Sequence, residues 1–298
     1  MSFGKDIYFE YTKAAKIQMP VVPAQIMNGH ENGINTIDIS DQLQTPYPAT
    51  SPSCLVSFIN LNANQSVDCC NQAATHVFVL ISGSVTISSE DDELTLEAWD
   101  CVTFPFSEKI TITASEDSHV YWVNDVPMLN YLGATPTTKT IQPTHYSKEA
   151  IMSMVSLYNS ETGAKNRNRN GVLLANESCP VTKTLTPTLW SLFNDLGAHN
   201  TQLPHKHNSV ALDLVLYAPN AKKGSVYTLI SEEIDENGQH INPIRFDWAT
   251  GGAFITPPGL WHSHINDTDE DAIVFPVQDA GLQTYLRTLF IEFYTPKT

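Results

Sequence analysis

An internal repeat restricts this chain's fold more than any other feature. The segment WVNDVPMLNYLG (122–133) matches PVQDAGLQTYLR (276–287): each continues a strand-like run into a short helix carrying a tyrosine, Tyr131 or Tyr285. Upstream, VLISGSV (79–85) matches LVLYAPNAKKGSV (214–226), which has a longer turn, and TFPFSEKI (103–110) and ITPPGLWH (255–262) lie between these anchors. A unit present twice must fold twice. The β-branched and aromatic runs at 55–61, 76–81, 84–88, 110–114 and 120–123 are bounded by Ser, Asp, Asn or Gly, as are those at 211–217, 226–230, 253–256, 272–277 and 290–294. Short strands at even spacing imply closed barrels or double-sheet jelly rolls. The expectation is an all-β chain with tandem units at 46–134 and 186–298. Residues 1–45 read as an arm rather than a domain, and 135–185 as an inter-domain connection. That connection is built around a helix at 147–159, where Ser147 can cap and Ile151, Met154, Val155 and Tyr158 recur at helical spacing. The stretch GAKNRNRNG (163–171) reads as a polar loop.

Composition narrows the function classes. Of 298 residues, 42% are hydrophobic and 16% charged, which excludes an extended disordered chain. The formal charge of −16 repels phosphate backbones and anionic lipid, so no nucleic acid and no membrane partner is expected. No run approaches the roughly 18 apolar residues of a membrane span, and MSFGKDIYFEYTK lacks the apolar core of a signal peptide. The five cysteines contain no C-x-x-C pair, against both a disulfide framework and a cysteine zinc site. A cytoplasmic protein is the expectation.

The chemistry concentrates in the second unit. Pro204-His205-Lys206-His207 places two histidines at alternate strand positions, so both imidazoles share a face. Farther on, a Pro257-Pro258-Gly259 turn delivers His262 to the start of another strand, with His264 on the same face. A lone histidine is usually a hydrogen-bonded core or surface residue. Four of the chain's ten histidines in two H-x-H pairs within one unit point to a metal site at His205, His207 and His262.

The pattern P-x-G-x-x-H-x-x-x-N at 257–266, preceded by H-x-H at 205–207, resembles the two cupin motifs, and the duplicated unit resembles a bicupin. The W-H-x-H element (261–264), the repeated strand–Asp–helix element (Asp125, Asp279) and the connecting helix resemble the gentisate 1,2-dioxygenase family of bicupins. The resemblance implies two cupin (double-stranded β-helix) domains and iron held by His205, His207 and His262. The usual cupin glutamate is absent, with Ala211 and Leu212 in its place, as in that ring-cleaving branch. Three neutral imidazoles would leave open coordination positions for a chelating substrate and O2. His264 would be a base or hydrogen-bond partner beside the metal. The chain departs from the branch in two ways. Active members carry the histidines in the first cupin; here Cys69 and Asn71 fall opposite His205 and His207, and Lys109 opposite His262, so a metal-free first unit is expected. The family's substrate-gripping arginine is replaced by Asp213, which by strand parity shares the histidine face. There it would repel an aromatic acid, accept a hydrogen bond from a hydroxyl or amine, or approach the metal; an outward-facing aspartate is the alternative. Arg245 is a candidate replacement cation, and Trp248 and Trp261 are candidate walls for a ring-shaped ligand.

Three functions follow as expectations. The first is a mononuclear Fe(II) dioxygenase cleaving a hydroxylated aromatic acid with O2. The second is an isomerase or hydrolase using Mn, Ni or Zn as a Lewis acid. The third is a small-molecule-binding bicupin without turnover. By the same resemblance, a homodimer or homotetramer is expected.

Overall fold

The strand Thr75–Ser82 (THVFVLIS) is apolar almost throughout, as is Ala211–Tyr217 (ALDLVLY), because both of their faces are buried. Alternate residues divide between two cores. Val77, Val79 and Ile81 meet Leu212, Leu214 and Leu216 in a core between the two units, while Phe78 and Leu80 point into one barrel and Val215 into the other. The computed structural model describes residues 4–15, 19–69, 72–164, 167–219 and 224–296.

Each unit is an antiparallel double-sheet barrel. In the first, a six-stranded sheet (Thr144–Tyr146, Cys101–Pro105, Thr75–Ser82, Ser118–Asn124, Leu55–Leu61, Gly33–Ile37) closes on a four-stranded one (Ser66–Asp68, Thr111–Ala114, Ser84–Ser88, Glu93–Glu97). In the second, the six strands are Ile26–Met27, Ala253–Thr256, Ala211–Tyr217, Ala272–Gln278, Trp190–Leu196 and Asn170–Leu174. Facing them run Ile244–Asp247, Val226–Ser231, Trp261–Asn266, His205–His207 and Ile291–Phe293, with Asn200–Thr201 beside Trp261–Asn266.

The arm and the connection are both drawn into the sheets. From the arm, Gly33–Ile37 pairs with Leu55–Leu61 of the first barrel, and Ile26–Met27 pairs with Met27 opposite Ala253 of the second. From the connection, Thr144–Tyr146 adds an edge to the first barrel and Asn170–Leu174 to the second. The helix Lys148–Ser160 starts where Ser147 accepts the Ala150 amide (3.2 Å) and buries Ile151 and Val155. Among the described residues no helix is long and apolar enough to cross a membrane.

The aspartate repeated before each short helix has a structural meaning. Asp125 accepts from the amides of Ala74 (2.8 Å) and Thr75 in its own barrel and from the Thr188 hydroxyl (2.8 Å), which leads into the other. Asp279 mirrors it, accepting from the Val210 amide (2.8 Å) and from the Ser53 hydroxyl (2.6 Å) on the approach to the first barrel. Each buried carboxylate ties a barrel to the segment that enters its neighbour.

Register also shows how the barrels diverged. His76 pairs with Asn124 as Ala211 pairs with Gln278, which makes Phe78 the counterpart of Asp213 and Trp122 the counterpart of Pro276. In the first barrel these positions hold stacked rings: Phe78 on Trp122 (5.6 Å, 14°) and His76 on Trp122 (5.9 Å, 21°). Lys109 is exposed and pairs with Asp68 at 3.2 Å. Cys69 is buried in the first barrel's core; Asn71 lies outside the described residues.

Candidate metal centre

His205 lies directly opposite His262 in the antiparallel ladder, and His207 lies two residues along the same strand. Cross-strand partners share a face, so register alone brings three imidazoles together. The Pro257-Pro258-Gly259 turn locks this arrangement: Gly259, at φ +80°, donates its amide to the His207 carbonyl (2.7 Å). One ligand atom from each of the three rings falls within 4.8 Å of the others.

The hydrogen bonds set the proton positions. Nδ1–H of His207 donates to the Ser209 carbonyl (2.9 Å), and Nδ1–H of His262 donates to the Leu260 carbonyl (3.1 Å). Both rings therefore keep a lone pair on Nε2, and that of His207 is buried without a hydrogen-bond partner. Burial pushes His205 and His262 well below the usual histidine range and His207 down to about 4, so the rings are neutral. Two neutral, carbonyl-anchored imidazoles, with His205 converging on them once its proton moves to Nδ1, fit a divalent ion of the Fe, Mn, Ni or Zn type.

The rings border a cavity of about 100 Å³, also lined by Arg169, Asp213, His264 and Gln278. That is well below the roughly 300–1,000 Å³ of sites for drug-sized ligands, so it suits a compact molecule. Asp213 is fully buried and accepts the Thr256 hydroxyl (2.5 Å), and burial raises its carboxyl to about 7. His264 is buried and held to about 3, chiefly by desolvation. Trp248 Nε1–H donates to the Thr228 hydroxyl (2.8 Å), leaving the Thr228 O–H to donate to Nδ1 of His264 (2.8 Å). With the Thr228 O–H given to Nδ1, the His264 proton sits on Nε2, toward the cavity.

Other residues singled out in the sequence lie elsewhere. Arg245 pairs with Asp247 (2.8 Å) and stacks on Tyr227 (3.5 Å), away from the cavity. Trp261 alternates to the opposite strand face from His262 and lies under Lys206 (4.5 Å). Trp248 packs against His264 (5.5 Å) and orients it from behind. The cation that does reach the cavity is Arg169, from the stretch read as a polar loop. Its guanidinium donates to His205 Nδ1 (2.7 Å) and to the Leu203 carbonyl (2.5 Å), and burial without a carboxylate lowers it to about 10. No motif marked it; the only signal was its place just before the strand Asn170–Leu174.

Fold and site together define a bicupin with a three-histidine centre in its second barrel. No protein-family model matches the chain. A stretch of 142 residues, 48% of this chain, is 27% identical to 5-aminosalicylate 1,2-dioxygenase from Comamonas sp., and spans about a third (33%) of that relative's length. Among solved structures, salicylate 1,2-dioxygenase from Pseudaminobacter salicylatoxidans is similar with a TM-score of 0.66 at 13% identity, over 90% of this chain and 82% of that one. The same enzyme solved as adducts with gentisate matches at 0.64, with 13% identity over 87% and 76%. The chain thus has the bicupin fold and resembles the gentisate-dioxygenase-like branch.

Proposed function

We propose that this chain is a ring-cleaving dioxygenase acting on a small hydroxylated aromatic acid, with Fe(II) held by His205, His207 and His262. The observation that carries the reading is a compact cavity in which three neutral imidazoles, a half-buried arginine and a buried carboxyl meet. The likeness to salicylate and aminosalicylate dioxygenases supports it. When bound, the metal would supply a binding site for substrate oxygens and for O2, with redox chemistry that side chains lack.

The chain's own residues supply recognition. Arg169, rather than Arg245, is the cation placed to grip a substrate carboxylate. His264 Nε2–H is placed to donate to a substrate oxygen, and Trp248 with Thr228 fixes that tautomer. Asp213 is suited to accept from an amino or additional hydroxyl substituent, which selects donor-bearing rings over bare salicylate. Trp261 is excluded from this scheme by its outward face. A homodimer or homotetramer remains part of the proposal; exposed Ile7, Tyr8, Phe9 and Tyr11 on the arm support it, and sedimentation tests it.

One observation favours a second reading. A buried carboxyl such as Asp213, changing charge near neutrality, is what an isomerase or hydrolase uses to move protons. O2 uptake separates the two. The Fe(II)-loaded protein should consume one O2 per ring opened across a panel of amino- and hydroxy-substituted salicylates. Conversion of a substrate to an isomerised or hydrolysed product without O2 consumption would establish the second reading instead.

A further inference from the structure

The strand Ile291–Phe293 borders His205–His207 on the side away from His262, with Phe293 opposite His205 and Ile291 opposite His207. Cross-strand partners project to one face, so both side chains join the histidines at the cavity. The Phe293 ring lies parallel to His205 (5.6 Å between centroids, 8°), and the Arg169 guanidinium sits over the same ring at 5.1 Å. The strand is firmly held. The Tyr294 amide donates to the Pro204 carbonyl (2.9 Å), Lys206 pairs with Glu292 (3.0 Å), and the Phe290 amide donates to Asn208 Oδ1 (2.7 Å). On its far side the Tyr294 hydroxyl donates to the Glu236 carbonyl (3.1 Å), and the Tyr294 ring packs so closely on Gly238 that an added Cβ would meet it at 2.5 Å.

From this geometry we infer that Phe293 is a positioning residue: a fixed aromatic platform that holds Arg169 at the cavity rim, facing an anionic ligand. Arg169 has no carboxylate partner among the described residues, so its hydrogen bonds to Leu203 and His205 and the face of Phe293 are what orient it. A partly desolvated cation over a ring is a directional contact, and removing the ring lets the long arginine side chain fall away from the rim. The inference rests on the proposed aromatic-acid reading only in its choice of ligand.

The test is salicylate binding to Co(II)-loaded protein without O2, followed by the cobalt absorption bands. Phe293→Ala should weaken salicylate about tenfold and Phe293→Leu by a similar factor, while Phe293→Tyr restores it to within about twofold, as expected for loss and recovery of one ring–cation contact. Cobalt affinity should be unchanged in Phe293→Tyr and no weaker in Phe293→Ala and Phe293→Leu, where Arg169 is freed from His205. In turnover the loss should appear in KM, with kcat nearly unchanged. Equal salicylate affinity in wild type, Phe293→Ala and Phe293→Leu would overturn the inference, as would a Phe293→Tyr variant as weak as Phe293→Ala. If no substituted salicylate supports O2 uptake but the tenfold binding loss is seen, ring cleavage falls and the platform stands.

Discussion

A guanidinium can only donate, so the hydrogen bond from Arg169 to Nδ1 of His205 leaves that ring's single proton on Nε2. A divalent ion held through Nε2 needs the proton moved to Nδ1, and an N–H there expels the guanidinium. Metal and Arg169 therefore oppose each other at His205, with like charge adding to the conflict. Arg169→Met should bind Co(II) about tenfold more tightly while raising the KM for an aromatic acid at least tenfold; titration and O2 uptake measure the two arms. Unchanged metal affinity would contradict the competition. Asp213 yields a second prediction at this scale. Burial raises its carboxyl to about 7 from the ordinary 3.8, so between those values the folded chain keeps a proton that the unfolded chain has lost. Stability of the metal-free protein must then fall as pH rises through that window. Asp213→Asn should match wild type near pH 4 and exceed it at pH 8, by on the order of 2–4 kcal/mol, in thermal melts. Parity in the sequence pointed Asp213 toward the histidines; both do line the cavity, but from separate strands in two different sheets. Arg169 escaped notice because a cation at the end of an aperiodic run carries no pattern.

At the level of elements, the barrels are coupled through two buried carboxylates rather than through a linker alone. Asp279→Ala would strand the Val210 amide and the Ser53 hydroxyl, each a charge-assisted bond, at a cost of about 3 kcal/mol. Denaturant unfolding should show this, together with a loss of cooperativity between the barrels; an unchanged midpoint would rule out the coupling. The internal repeat marked Asp125 and Asp279 in the sequence, but their partners Ser53 and Thr188 lie on entering segments that carry no motif. The same limit hid the edge strands. Ile26–Met27 and Thr144–Tyr146 are too short to show alternation, and only tertiary pairing makes them strands. The histidine strands were legible because H-x-H and the Pro-Pro-Gly turn encode face and register locally.

Across the whole molecule, one ancestral unit has been used in two ways. The first barrel fills its interior with stacked Phe78, Trp122 and His76, where the second keeps Asp213, Pro276 and a cavity. The missing histidines of the first unit were visible in the sequence, whereas the ring stack that replaces a cavity needed the strand register. Only the second barrel holds three converging histidines among the described residues, so a single metal is proposed there. The most direct test is elemental analysis of the protein purified without added salts, beside a His205→Ala, His207→Ala double variant. One first-row divalent ion per chain, absent from the double variant, is the expected result. Two ions per chain, or metal content unaffected by the double variant, would contradict a single centre built from the second barrel's imidazoles.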